Sequence, residues 1–146
     1  MSRSTVLSYG VIFFSLGILL MLFNAPMVRL VGSIGIFIGS LSLIIFNSEK
    51  YKYLKLLHIS LLQRGYNITF KKQRLVCLLL CFALFFCNSF SWGCLLYFGI
   101  ISKLVFNIIG VIFILFLLPV FSSPDNIERQ VADENADKLI DLMNKP

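Results

Sequence analysis

Charged residues are almost absent from two long stretches of this chain. Residues 4–48 contain one charged side chain, Arg29, and residues 75–124 contain one, Lys103. Ordinary soluble domains are about 25% charged and about 45–50% apolar, whereas this chain is 14% charged and 58% hydrophobic. A core built from 146 residues could not bury that much apolar surface. The composition therefore excludes an ordinary soluble domain and predicts a membrane protein.

The groups that perform acid–base, metal or nucleophilic chemistry are also scarce. The single histidine is His58, and neither apolar stretch contains Asp or Glu. The four cysteines lie in or beside one apolar stretch with no imidazole or carboxylate nearby, so we interpret them as small buried side chains: Cys77, Cys81, Cys87 and Cys94. We expect no catalytic site, no metal and no cofactor, and we predict that the protein is not an enzyme.

Each apolar stretch is about twice the roughly 20 residues that cross a bilayer as a helix. The predicted fold is therefore all-α: a polytopic membrane protein with four transmembrane helices arranged as two hairpins. Pro26 places the first turn, because the residue before a proline avoids the helical region. Two positions compete for the other turn, residues 88–93 and the neighbourhood of Ser102, and we prefer the second. The predicted spans are residues 6–23, 28–46, 75–99 and 104–121.

The segment between the two hairpins is strongly basic. Residues 47–74 hold one acidic and seven basic residues, the latter being Lys50, Lys52, Lys55, Arg64, Lys71, Lys72 and Arg74. Lys and Arg are retained on the cytoplasmic side of short loops, so this loop and both termini are predicted to be cytoplasmic. The chain then divides into a first hairpin (1–46), a basic loop (47–74), a second hairpin (75–121) and a tail (122–146).

The basic loop and the tail are each predicted to form an amphipathic helix. The loop helix would lie at the lipid headgroups, so the seven basic residues are candidate contacts for membrane lipid or a partner. Nucleic acid is not expected. The tail has six acidic and three basic residues, and we expect it to dock on the loop or on a partner through an apolar face formed by Ile127, Val131, Leu139 and Leu142.

Small residues inside the spans predict how the helices pack, because they allow two backbones to approach. Five glycines form two stripes at helical spacing: Gly10 and Gly17 in the first span, and Gly32, Gly35 and Gly39 in the second. We expect the stripes to face each other, or alternatively to form a dimer interface. Lys103 and Asn107 share a helix face with Gly110 and form a candidate intramembrane polar face, unless Lys103 only anchors the helix at the interface.

The seven-residue steps from Gly10 to Gly17 and from Gly32 to Gly39, within two hairpins around a basic loop, resemble the small four-span Golgi transport proteins of the Got and Sft type. Membrane-embedded immunity or exclusion proteins of bacteria share the same size and plan. The resemblance implies a role in vesicle trafficking or in exclusion, and a location in the ER or Golgi membrane or in the bacterial inner membrane.

Three classes of function remain open. The leading one is a non-enzymatic accessory subunit that binds other membrane proteins or further copies of itself. An oligomeric pore or small exporter comes second, and would require Lys103 and Asn107 to face a shared lumen. A membrane enzyme comes third, because the spans contain no acid–base pair.

Overall fold

The described part of the chain, residues 2–118 and 122–146 of a computed structural model, folds into five helices and no strand. The helices are α1 (Arg3–Met21), α2 (Pro26–Gln63), α3 (Lys71–Tyr97), α4 (Lys103–Leu117) and α5 (Asn126–Met143). The predicted all-α fold is confirmed for these residues. Helix α2 is central, since α1, α3, α4 and α5 all contact it.

Three of these helices, α1, α2 and α3, are long and apolar enough to cross a membrane. Many of their large apolar side chains are exposed, including Phe90 on α3 at 75%. That surface is compatible with a membrane location. Helix α4 is more apolar than these three but has 15 residues, which is about 22 Å of helix. The predicted end of this fourth span, at residues 119–121, lies outside the described residues.

Helix α2 continues through residue 47, where the sequence predicts a boundary between the first hairpin and the basic loop. It has 38 residues and is about 57 Å long, so the predicted second span and the predicted loop helix form one continuous helix. The physical reason is local: residues 47–63 contain neither proline nor glycine, and lysines do not interrupt a helix. Only residues 64–70 connect α2 to α3.

Glycines in the left-handed conformation end two of the long helices. Gly65 has φ +85° and Gly99 has φ +68°, a conformation that costs glycine little because it has no Cβ. The Tyr66 N–H donates to the Leu61 carbonyl at 2.9 Å, as in the usual glycine-terminated helix end. Helix α3 continues through residues 88–93, so the first candidate turn is not used. The second hairpin turns at residues 98–102, next to Ser102, which is the turn that the sequence analysis prefers.

The first hairpin is held by contact between backbones. A Cβ atom added at Gly17 would lie 2.6 Å from the Gly32 carbonyl oxygen, and one added at Gly39 would lie 2.5 Å from the Phe14 nitrogen. Real Cβ atoms essentially never approach so closely. The structure thus brings both glycine stripes together between α1 and α2, because only glycine fits at this separation.

The second hairpin packs on the other side of α2. Ile44, Leu84 and Phe113 join α2, α3 and α4 in one buried cluster. At the opposite end, the Arg29 Nε donates to the Phe23 carbonyl at 3.0 Å, and its Cζ lies 4.6 Å from the centre of the Phe98 ring. Arg29 therefore ties the tips of both hairpins together.

We expect Gly39→Ala to destabilise the first hairpin, because the new methyl group must push two backbones apart. Overpacking of this kind costs about 1–3 kcal/mol. Thermal unfolding in a mild detergent, followed by circular dichroism, should show a lower midpoint. Gly93→Ala is the matched control, because a Cβ at Gly93 meets nothing within 4 Å. Equal midpoints for the two variants would contradict the close packing.

Candidate functional site

The predicted polar face on α4 points away from the rest of the described chain. Helix α4 contacts the core through Phe113, which is 2% exposed, and Asn107 lies about 120° around the helix from it. Lys103 and Asn107 are both exposed, and a Cβ at Gly110 would meet nothing within 4 Å. The Asn107 amide forms no hydrogen bond within residues 2–118 and 122–146. We call Lys103, Asn107 and Gly110 the outer polar face.

Six of the seven predicted basic contact residues separate into two groups. Two arginines have protein partners: Arg64 binds α5, and the Arg74 Nη2 donates to the Tyr51 hydroxyl at 3.1 Å. Four lysines are exposed, namely Lys50, Lys55, Lys71 and Lys72, and Lys52 is half-buried. The arginines therefore stabilise contacts within the protein, whereas the four exposed lysines present charge outward.

The tail helix α5 docks on the second half of α2. The Arg64 Nε lies 2.8 Å from the Asp137 Oδ1, and the Ser60 hydroxyl donates to the Asp133 Oδ1 at 2.5 Å. A further hydrogen bond of 3.0 Å runs from the Asn135 Nδ2 to the Tyr53 hydroxyl. The opposite charges of loop and tail thus meet within one chain.

The docked face of α5 differs from the predicted apolar face. Of the four predicted residues only Leu139 packs against the Leu57 and Leu61 cluster. The other three are exposed: Ile127 at 74%, Val131 at 44% and Leu142 at 62%. The buried residues are Ala132 and Ala136, at 1% and 0% exposure. The small alanine side chains let α5 approach α2 closely enough for Asp133 to reach Ser60 and for Asp137 to reach Arg64. The polar contacts and the close approach therefore determine which face of α5 docks, rather than the larger apolar side chains.

A large cavity lies between α2, α3 and α5, with a volume of about 1030 Å³. One wall is apolar and includes the partly exposed side chains of Leu78, Phe82 and Phe85 of α3. Its mouth carries basic side chains from two helices, including Lys55 of α2 and Arg129 of α5. We call this space the amphipathic cavity. The sequence does not single out Arg129, because it is a minority charge in an acidic tail, and no local pattern shows that the tail folds back over the lysines.

The histidine and the cysteines, which are the residues most suited to chemistry, lie on α2 and α3. The His58 Nδ1 lies 2.6 Å from the Ile68 carbonyl oxygen, so this ring fastens the connection between α2 and α3. Cys77 is buried, and all four cysteines are free thiols. Within the described residues, no group of three or more His, Cys, Asp or Glu side chains could hold a metal ion.

No protein-family model matches this chain, and neither does any curated protein or solved structure. The outer polar face and the amphipathic cavity are the two candidate binding features of the described residues.

The docking of α5 can be tested with Ala136→Leu. The larger side chain has no space at a fully buried position, so we expect α5 to separate from α2 and its backbone amides to exchange hydrogen faster. Hydrogen exchange measured by mass spectrometry reports this for each peptide. Val131→Leu is the control, because Val131 is exposed. Similar exchange in both variants would show that α5 docks by a different face.

Proposed function

We propose that the protein is a four-span integral membrane protein that acts as a non-enzymatic accessory subunit, binding another membrane protein or a second copy of itself. The single observation that supports this role best is the exposed amide of Asn107 on the apolar helix α4. Burying an amide in an apolar medium without a hydrogen bond costs free energy, and polar side chains associate helices across a membrane.

The proposed topology has both termini in the cytoplasm and both hairpin tips on the opposite side. Contacts of Arg29 bring the two tips together. Arg3, near the start of the chain, lines the same small pocket as Ile127 and Glu128 of the tail region. The ends of the chain therefore lie near the second half of α2, which carries the excess of basic residues expected on the cytoplasmic side. The bilayer would be a bacterial inner membrane or an ER or Golgi membrane.

The outer polar face would be the binding surface for a partner helix. Gly110 leaves open space next to Asn107, and a small residue at that position lets a second backbone approach closely. A partner that offers a hydrogen bond to Asn107 would satisfy its amide, and the apolar residues around it would pack against that helix. Lys103 lies one turn nearer the end of α4, where its ammonium can reach the headgroups.

An oligomeric pore is the second candidate, because the same face could line a lumen shared by several copies. It differs from the accessory role in one measurable property. Purified protein in planar bilayers would conduct ions if Lys103 and Asn107 lined a water-filled path, and would not conduct if the face were occupied by a partner helix.

The topology predicts where reporter tags appear. Tags on the two ends of the full chain should both be accessible from the cytoplasm, and a tag inserted at Gly99 should be accessible from the opposite side. Protease accessibility in sealed vesicles measures this. Ends on opposite faces of the membrane would contradict the four-span arrangement.

Asn107→Leu is expected to weaken the proposed association, because it removes the amide while preserving an apolar helix. Two differently tagged copies, and any co-purifying membrane protein, should be recovered together from mild detergent in smaller yield. Interhelical hydrogen bonds in membranes contribute about 0.6–2 kcal/mol, so we expect a loss of about threefold to thirtyfold in association.

The matched control is Ile108→Leu, which alters an exposed apolar neighbour on the next position of α4. It should leave association unchanged. A monodisperse monomer of the unaltered chain, with no co-purifying protein, would contradict the accessory role, as would equal association of Asn107→Leu and the control.

A further inference from the structure

We infer that the amphipathic cavity binds an anionic phospholipid, with the phosphate at Lys55 and Arg129 and an acyl chain along the apolar wall of α3 and α4. This inference depends on the membrane placement but not on the protein partner proposed for the outer polar face.

The apolar part of the cavity is elongated along α3, as the site of an acyl chain would be. It extends along α3 from Cys77 to Phe85, which is about 12 Å of helix. Ile44 of α2 and Leu117 of α4 line the same region. In the proposed topology this wall lies at the depth of the hydrocarbon, so a lipid chain could enter it from the bilayer without crossing water.

The mouth of the cavity combines cations from distant parts of the sequence. Lys55 and Arg129 both line it and both are exposed, and neither forms an ion pair with an acidic side chain among the described residues. Along α2, Lys55 lies about 16 Å from Ile44, which separates charge from apolar wall as a lipid separates headgroup from chain. An arginine guanidinium also matches the geometry of a phosphate.

The acidic side chain at the mouth does not cancel this charge. Asp133 also lines the cavity, but its Oδ1 accepts a hydrogen bond from Ser60 and lies 3.7 Å from the Arg64 Nη1. Arg64 offsets only part of this charge, because its Nε also pairs with Asp137 at 2.8 Å, but the two charges of Lys55 and Arg129 exceed the single charge of Asp133. Ser123 lines the cavity as well, and its hydroxyl can donate to a phosphate oxygen, whereas the Ser48 hydroxyl donates to the Ile45 carbonyl at 2.8 Å.

Cavity size favours a lipid over a soluble anion. Ligand pockets are about 300–1,000 Å³ and are mostly apolar, and this one lies at the upper limit with about 1030 Å³. A soluble phosphate would occupy the mouth and leave the apolar half filled with water. Because Arg129 belongs to α5, a bound lipid would also connect the tail to α2 and α3.

The inference can be tested with the full chain in a neutral detergent, with bound lipid counted by native mass spectrometry. The probe is dioleoyl phosphatidylglycerol, and the test variant is Lys55→Gln with Arg129→Gln. We expect about a thirtyfold weaker affinity, from the usual attraction of two basic residues to an anionic lipid surface. The matched control is Lys50→Gln with Lys72→Gln, which removes the same charge outside the cavity and should bind like the unaltered chain.

Three outcomes would overturn the inference. The control could lose as much affinity as the test variant, which would indicate general attraction to the basic surface. Dioleoyl phosphatidylcholine could bind as tightly, which would indicate lipid retained without recognition of charge. Glycerol phosphate could displace the lipid at the same concentration, which would indicate a soluble anion as ligand.

A second measurement needs only the unaltered chain. Dihexanoyl phosphatidylglycerol has the same headgroup but short acyl chains, so it should bind at least tenfold more weakly than the dioleoyl lipid if the apolar wall contributes. Bound dioleoyl lipid should also slow hydrogen exchange in α5, because Arg129 lies on that helix. Equal affinities for the two chain lengths would contradict the proposed acyl site, whatever the outcome for Asn107.

Discussion

The uninterrupted backbone hydrogen bonding of α2 is the constraint on which the other helices depend. Helix α1 packs on its first half through glycine contacts, α3 packs alongside it, and α5 packs on its second half. The continuity has a clear end, since Gly65 adopts a left-handed conformation directly after Arg64. A break near residue 47 would separate the glycine contacts of the first hairpin from the ion pair between Arg64 and Asp137. The amphipathic cavity would also lose the continuous wall that α2 contributes.

Polar side chains in the apolar region show how the fold treats its own hydrogen-bonding groups. The Ser40 hydroxyl donates to the Phe37 carbonyl at 3.1 Å, and the Ser91 hydroxyl donates to the Asn88 carbonyl at 2.9 Å. These residues have 0% and 2% exposure, so local bonds to the helix backbone replace water. Asn107 has no such bond within the described residues and points outward. The buried Asn88 Oδ1 and Trp92 Nε1 also have no partner within the described residues, but they lie inside the fold. The amide of Asn107 is exposed, so a partner helix at α4 can reach it.

Local sequence patterns predict the helical class, the second turn and the position of the glycine stripes, because each depends on neighbours within one or two turns. The continuity of α2 is harder to predict, since a run of lysines resembles a loop at a membrane surface while leaving the helix intact. The docked face of α5 is also hidden, because it depends on how closely Ala136 lets two helices approach. The cavity combines Lys55, Phe82 and Arg129, which meet only through tertiary contacts, so no spacing in the sequence indicates it.

The length of α2 has a mechanical consequence. At about 57 Å it is about 27 Å longer than the hydrocarbon thickness of about 30 Å, so in the proposed topology nearly half of α2 would project from the bilayer. If the embedded part inclined by about 10°, the projecting end would sweep sideways by about 5 Å. Changes in bilayer thickness would then displace the ion pair between Arg64 and Asp137, with α2 acting as a lever arm.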